Sequence, residues 1–447
     1  DHFLADALAW FGVDIAATAP AEEKGRRLGE AVAKARTLLV LDGVEPLQYP
    51  PGSMGGRLRA PGLRALLDHL ASAGQPGLCL LSSRERLEDL AEYERRAGHP
   101  TGSVRHHVLG NLSAPDGARL LYACGVSRAG AAPIKADEAA SDTEMLAVSQ
   151  ASRGHALTLS LLGNYLRLAF DGDIRRRDQV NFSDADEETG GHTFRVMAAY
   201  ETWFAREGTT CAREAAALRL LGFFDRPAQP ESLAALRAAP AIAGLGEALE
   251  NISERQWQIT IKRLRNCGLI LPAPADAPLD AHPLVREYLA QRLQREQPDA
   301  WREGHQRIYH QLKDSVPYQP DDLDGLQPLY QAMAHGCKAG MHQAVRDEVY
   351  IERILRGTEP DGFYSIKKLG AFGADLAAVA CFFDETWHQV SSLLFEEARG
   401  WVLSQAAFCL TAVGRLEEAL EPMRSGTKMA EARQKRKNVA IAFGSLS

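Results

Sequence analysis

Leu38-Leu39-Val40-Leu41-Asp42-Gly43-Val44-Glu45-Pro46 decides how this 447-residue chain is read. From Thr37 to Leu41 the run is short and apolar, and it stops at Asp42-Gly43. Too brief for a helix, it predicts a strand buried on both faces, as in a parallel sheet. A second run, Gly77-Leu78-Cys79-Leu80-Leu81, ends in Ser82-Ser83-Arg84. Helical periodicity over 61–73 lies between them, so strand, helix and strand form one βαβ unit. Taken alone, Asp42 opening a turn and Glu45 in solvent would explain the stretch equally well.

Outward from this unit the chain turns helical. Upstream, the periodicity predicts helices around 3–11 and 24–35. Downstream, His107-Val108-Leu109 reads as one last strand. Ser113-Ala114-Pro115-Asp116 is then a helix start, with a capping Ser and an early Pro. Helices follow over 143–153 and 156–170, interrupted by Gly154, with a linker over 171–192. A compact unit over 194–294 contains a helix at 255–266, a hairpin-like stretch at 268–277 and a helix after His282-Pro283. Helix, β-wing and helix in that order make a winged-helix pattern. Beyond it the sequence is nearly all helical, with a Pro- and Asp-rich break at 316–322.

Composition narrows the classes. Lys and Arg number 51 against 58 acids, a net charge of -7 that gives no global attraction to nucleic acid. The hydrophobic share of 45% and charged share of 24% fit a globular chain. No apolar run approaches the ~20 residues of a membrane span. Seven dispersed Cys without a Cys-x-x-Cys pair read as thiols of a reducing cytoplasm, so a cytoplasmic location is expected. Gly-x-Ser-x-Gly and His-Glu-x-x-His are both missing, which removes the common serine- and metallo-hydrolase signatures.

Several motifs, in order, resemble those of STAND-class P-loop NTPases of the NACHT and NB-ARC kind, relatives of bacterial NLR-like proteins. The Asp42-Gly43-Val44-Glu45 stretch resembles their Walker B strand end. The resemblance implies that Asp42 holds Mg²⁺ through water beside the β- and γ-phosphates of ATP, while Glu45 orients or deprotonates the attacking water. Ser82-Ser83-Arg84 is similar to their sensor, with Arg84 reading phosphate through its planar fork. Leu109-Gly110-Asn111-Leu112-Ser113 is similar to the start of their helical domain. Arg153-Gly154-His155-Ala156-Leu157 is similar to a Gly-x-Pro-Leu element that contacts the nucleotide, which places His155 and Ala156 there. Ala156 stands where the family has Pro. His282, in Asp280-Ala281-His282-Pro283-Leu284, matches the His that reaches the β-phosphate of ADP in the resting state. By itself His282 also reads as a plain helix N-terminus.

The fold so implied is mainly α with an α/β part. The carboxyl-terminal portion of a P-loop NTPase sheet spans 1–106, a helical domain 107–190 and a winged helix 191–298. A TPR-like sensor region, an α-solenoid, covers 299–447. Ala407, Gly414, Ala419 and Gly426 give 401–430 the small residues a tetratricopeptide unit needs. An earlier pair lies at 329–354, and 437–447 reads as the first helix of a further unit. The aromatics Phe363, Tyr364, Phe372, Phe382, Phe383 and Trp387 read as repeat core. The sequence lacks any Gly-Lys pair, so the phosphate-cradling loop is expected upstream of residue 1 and further repeats after 447. The resemblance implies a nucleotide-switched signalling ATPase that binds ATP or ADP. Its helices would sense a protein or other trigger, and it would form a homo-oligomer to activate an upstream effector, with antiphage defence a known use. Two alternatives stay open. One is a transcription regulator that binds DNA through Lys262, Arg263 and Arg265. The other is a non-catalytic TPR adaptor.

Overall fold

The computed structural model describes residues 2–16, 19–34, 36–44, 47–48, 56–72, 77–83, 85–95, 101–128, 135–180, 191–206, 209–274 and 277–444. The fold is mainly helical with one small parallel sheet. It divides into a unit made of 1–107 and 312–447 and a second unit over 108–311.

In the amino-terminal stretch, α1 (His2–Trp10) and α2 (Ala21–Lys34) precede β1 (Leu38–Leu41). Helix α3 (Pro61–Ser72) then leads to β2 (Leu78–Leu81). The strands pair in parallel, Leu38 opposite Leu78 and Leu41 opposite Leu81, as the βαβ reading requires. Leu4, Leu8, Leu28, Val32, Leu63 and Leu66 form the core, and Leu39, Leu41, Cys79 and Leu81 pack onto it. Full burial of such a side chain contributes about 1.5–3 kcal/mol. Helices α2 and α3 cross closely because both crossing residues are glycines: a Cβ on Gly25 would lie 1.9 Å from the Gly62 carbonyl oxygen.

The expectation that both sheet faces are buried is not met. Leu38, Val40, Leu78 and Leu80 are 61%, 55%, 64% and 58% exposed, so only the alternate residues face the core. His107-Val108-Leu109 is not a strand either. It is extended chain with Val108 and Leu109 in solvent, and the isolated bridge nearby joins Glu94 to Val104.

In the second unit, α4 (Ala114–Ala123), α5 (Thr143–Ala151) and α6 (Ala156–Ala169) pack around Leu121, Met145, Leu159 and Leu162. The expected linker after them is partly ordered: Ile174 is fully buried at the head of a 3₁₀ turn, Ile174–Gln179. Residues 181–190 of that linker lie outside the described residues. Helices α7 (Gly191–Arg206), α8 (Thr209–Leu220), α9 (Pro230–Arg237), α10 (Glu254–Asn266) and α11 (Pro283–Glu296) follow. Between α10 and α11 the Leu271 amide donates to Asp280 O at 2.8 Å, and Leu279 pairs antiparallel with Ala228. Among the described residues no strand forms between α10 and α11, so the hairpin read at 268–277 is represented only by these isolated contacts. The Tyr200 hydroxyl, buried on α7, donates to Leu161 O at 3.1 Å and Cys267 O at 3.0 Å. It ties α6 and the carboxyl end of α10 to α7.

Helix α12 (Pro298–Asp314) leads into the carboxyl-terminal helices. These are α13 (Leu323–Lys338), a π-helix (Val345–Leu355), α14 (Phe372–Ala380), α15 (Glu396–Ala412) and α16 (Leu416–Gly444). The hairpin of α15 and α16 matches the repeat read at 401–430. Two details differ. Residues 437–444 continue α16 and do not open a new helix. A small antiparallel hairpin, β3 (Phe383–Glu385) with β4 (Gln389–Val390), interrupts the helical run. Phe382 and Trp387 are buried here, as core aromatics. Among the described residues no helix is long and apolar enough to cross a membrane.

Candidate functional site

One candidate site sits at the carboxyl ends of β1 and β2. Asp42 follows β1 and is exposed, and the hydroxyl of Ser82, which follows β2, donates to its Oδ1. The Gly43 amide donates to Ser82 Oγ at 2.9 Å, and the Val44 amide donates to Ser82 O at 3.1 Å. The main chain thus orients Ser82, and Ser82 orients the carboxylate. Parallel pairing in register makes this possible, since it brings both strand ends to one edge.

Gln48 does the same one residue further on. It is buried, its Nε2 donates to Gly56 O at 2.9 Å and Arg86 O at 3.2 Å, and its Oε1 accepts from the Ser83 hydroxyl. The loop after β2 is therefore pinned to the loop after β1 by two Ser side chains. Glu45 and Arg84 lie outside the described residues. Gln48 went unread in the sequence because an isolated Gln in a Pro-rich loop carries no period or motif.

Asp42 Oδ2 has no protein partner among the described residues. An exposed carboxylate oriented through one oxygen suits holding a hydrated Mg²⁺ through water, the mode in which that ion keeps its shell. Among the described residues no three His, Cys, Asp or Glu side chains gather to hold a metal directly. The seven Cys are all free thiols, and burial pushes Cys79 up to about 11 and Cys267 up to about 12, away from nucleophilic chemistry.

The other sequence-predicted residues lie in the unit 108–311. Gly154 takes φ +69°, a left-handed turn that ends the segment after α5, and its carbonyl accepts from the Leu112 amide at 2.9 Å. A Cβ at Gly154 would sit 2.0 Å from Leu112 O, so the two sequence elements at 109–113 and 153–157 meet only because the residue is Gly. His155 then caps α6: its Nδ1 accepts from the Thr158 amide at 3.3 Å and contacts Thr158 Oγ1 at 2.8 Å. Thr158 Oγ1 in turn meets Thr193 Oγ1, in the first turn of α7, at 3.0 Å. The amino termini of α6 and α7 are thereby joined.

Burial, and secondarily the neighbouring His192, hold the His155 imidazole below its ordinary range. The ring is neutral at neutral pH and serves as an acceptor. Ala156 is exposed at the first position of α6. Sequence reasoning missed His192 and Thr193; the available signal was the Gly190-Gly191 pair just before them.

His282 caps α11, its Nδ1 accepting from the Leu284 amide at 3.2 Å, with Pro283 opening the helix. Asp280 is bound by the Ala281 amide at 2.8 Å and by the Arg286 guanidinium. This is a well-made helix N-terminus, where backbone N–H groups and the helix dipole favour an anion.

The basic side of α10 is partly used up within the fold. Arg263 pairs with the buried Glu214 at 3.1 Å, and Arg265 is half-buried and reaches Pro274 O at 3.5 Å. Of the three residues read as a DNA face, Lys262 and Arg263 are exposed, Arg263 while paired with Glu214.

No protein-family model matches the chain, and no curated protein sequence matches it. Among solved structures it is similar to a STAND signal-transduction ATPase with a tetratricopeptide repeat sensor from Pyrococcus horikoshii. The identity is 14% and the TM-score 0.45, over 92% of this chain and 52% of that one. The chain thus spans about half the length of the solved structure it matches.

Proposed function

We propose that this chain is part of a nucleotide-switched signalling ATPase of the STAND kind. The observation that carries the reading is the Ser82–Asp42 hydrogen bond, which joins the two strand-end motifs at one sheet edge. The Leu112–Gly154 bond supports it by joining the next two motifs in the unit 108–311. In this reading Asp42 holds Mg²⁺ through water, which would supply neutralisation of β- and γ-phosphate charge. Glu45 positions water and Arg84 reads phosphate. His155, Ala156 and His282 face the nucleotide, with His282 holding ADP in the resting form. The carboxyl-terminal helices sense a trigger of protein or other origin, and ATP exchange drives homo-oligomerisation and activation of an upstream effector, in a role such as antiphage defence.

The proposal divides the chain into 1–106, 107–190, 191–298 and 299–447, as nucleotide-domain portion, helical domain, winged helix and sensor. The DNA-binding alternative is the weaker one, because Arg263 is engaged with Glu214.

His282→Ala in the intact protein is the test. The substitution removes one helix cap, at a cost of about 0.5–2 kcal/mol, so the fold survives. The expected result is signalling without trigger and faster release of ADP. An intact variant that stays silent without trigger, with unchanged ADP release, removes His282 from the switch.

A further inference from the structure

Asp375, on α14, is completely buried in the carboxyl-terminal helices and belongs to no part of the candidate site. The Tyr330 hydroxyl on α13 donates to its Oδ1 at 2.6 Å, and the Ser365 hydroxyl donates to its Oδ2 at 2.8 Å. The Tyr350 hydroxyl, on the π-helix, faces the same carboxyl. Gln405 Nε2 on α15 donates to Tyr350 Oη at 3.3 Å and reaches Cys409 Sγ at 3.7 Å. One carboxyl group therefore links α13, the turn Tyr364–Lys367 and α14, and the Tyr350–Gln405 pair from the π-helix and α15 packs beside it.

We propose that Asp375 is a proton-operated clasp: proton uptake tightens the helices around it, and proton loss loosens them. The groups facing it from each element are Tyr330, Tyr350, Ser365, Gln405 and the Cys409 thiol, and among the described residues no cation faces it. Ionised, Asp375 is a buried charge supported only by hydroxyl dipoles. Protonated, it donates to one hydroxyl and accepts from the others, leaving no net charge in the core. Burial pushes its carboxyl up to about 6, while the hydroxyls from Tyr330, Ser365 and Tyr350 pull it back down.

The sign of the effect follows. The folded state holds a proton between about pH 4 and 6 that the unfolded state has lost. Stability from this group is therefore fully present below the unfolded value of 3.8 and is lost as pH rises through about 6. Acidification from pH 7.5 to 5.5 stabilises these helices, the reverse of the loss an ion-paired carboxylate gives. The π-helix also carries Arg353, whose guanidinium grips the main chain from Lys313 to Tyr318, so the clasp borders the segment that leaves α12.

Hydrogen exchange of the full chain at pH 5.5 and 7.5, corrected for intrinsic rates and resolved by peptide, tests this. Peptides from 323–338, 345–355, 364–380 and 396–412 should show about fourfold slower opening at pH 5.5. Asp375→Asn should hold the slow rate at both pH values. Tyr330→Phe removes one donor to the ionised form and should move the midpoint upward, which keeps the test open if Asp375→Asn fails to fold. Equal corrected rates in the wild type, a pH response that survives in Asp375→Asn, or an unmoved midpoint in Tyr330→Phe would each overturn the assignment.

Discussion

Gly154→Ala destabilises the unit 108–311 by about 2–5 kcal/mol, the sum of two separable costs. An L-residue in the left-handed region costs roughly 1–2 kcal/mol. The added methyl must also clear the Leu112 carbonyl oxygen at 2.0 Å, an overpacking of a rigid main-chain atom that costs about 1–3 kcal/mol. Neither atom can step aside cheaply, since Leu112 and Gly154 are themselves hydrogen-bonded and Ser113 caps α4 immediately after. Gly414→Ala separates the two costs. Gly414 has φ +76° with nothing within 4 Å of its Cβ position, so only the conformational cost applies there. Urea unfolding followed by tryptophan fluorescence should rank Gly154→Ala well below Gly414→Ala. Equal losses would mean that the contact between the two motifs carries no strain-sensitive role.

Much of this arrangement is legible in the sequence, for physical reasons. Two apolar runs of strand length with a helix between them dictate parallel pairing, and Ser113-Ala-Pro-Asp dictates a helix start. The number of covered sheet faces is not legible. A continuous run such as Leu38–Leu41 reads the same whether one face or two is packed, and here Leu38 and Val40 lie open. The hairpin at 383–390 is too short to show a period against helical neighbours. The contacts that orient the candidate site were also hidden, because Ser82 reaches Asp42 across 40 residues and Thr193 reaches Thr158 across 35. Asp375 was hidden for the same reason: its partners Tyr330 and Ser365 come from two separate elements.

Arg353→Met carries the second large effect, a loss of about 3–5 kcal/mol from the carboxyl-terminal helices. Arg353 is 5% exposed, and its guanidinium donates to four carbonyls. These are Tyr318 O at 2.7 Å, Lys313 O at 2.7 Å, Pro317 O at 2.9 Å and Val316 O at 3.3 Å. Lys313 O is one of the orphan acceptors at the end of α12, and the rest belong to a loop without a ladder of its own. Hydrogen bonds to a charged group contribute about 1.5–3 kcal/mol each, and water would recover part of that in the variant. Lysine keeps the charge but loses the fork, so Arg353→Lys should restore only a minor part. Limited proteolysis should then cut within 314–321 in Arg353→Met at a rate well above wild type. Unchanged cutting and an unfolding midpoint within about 0.5 kcal/mol of wild type would show that the loop is held by its own packing.

The most direct test of the nucleotide-switch reading is the nucleotide content of the intact natural protein as purified, released by denaturation and identified by chromatography. The account predicts stoichiometric ADP or ATP, and its loss or rapid exchange in Asp42→Asn. No bound nucleotide, with none taken up from ATP and Mg²⁺, would contradict it and leave a helical binding protein built on a silent sheet edge.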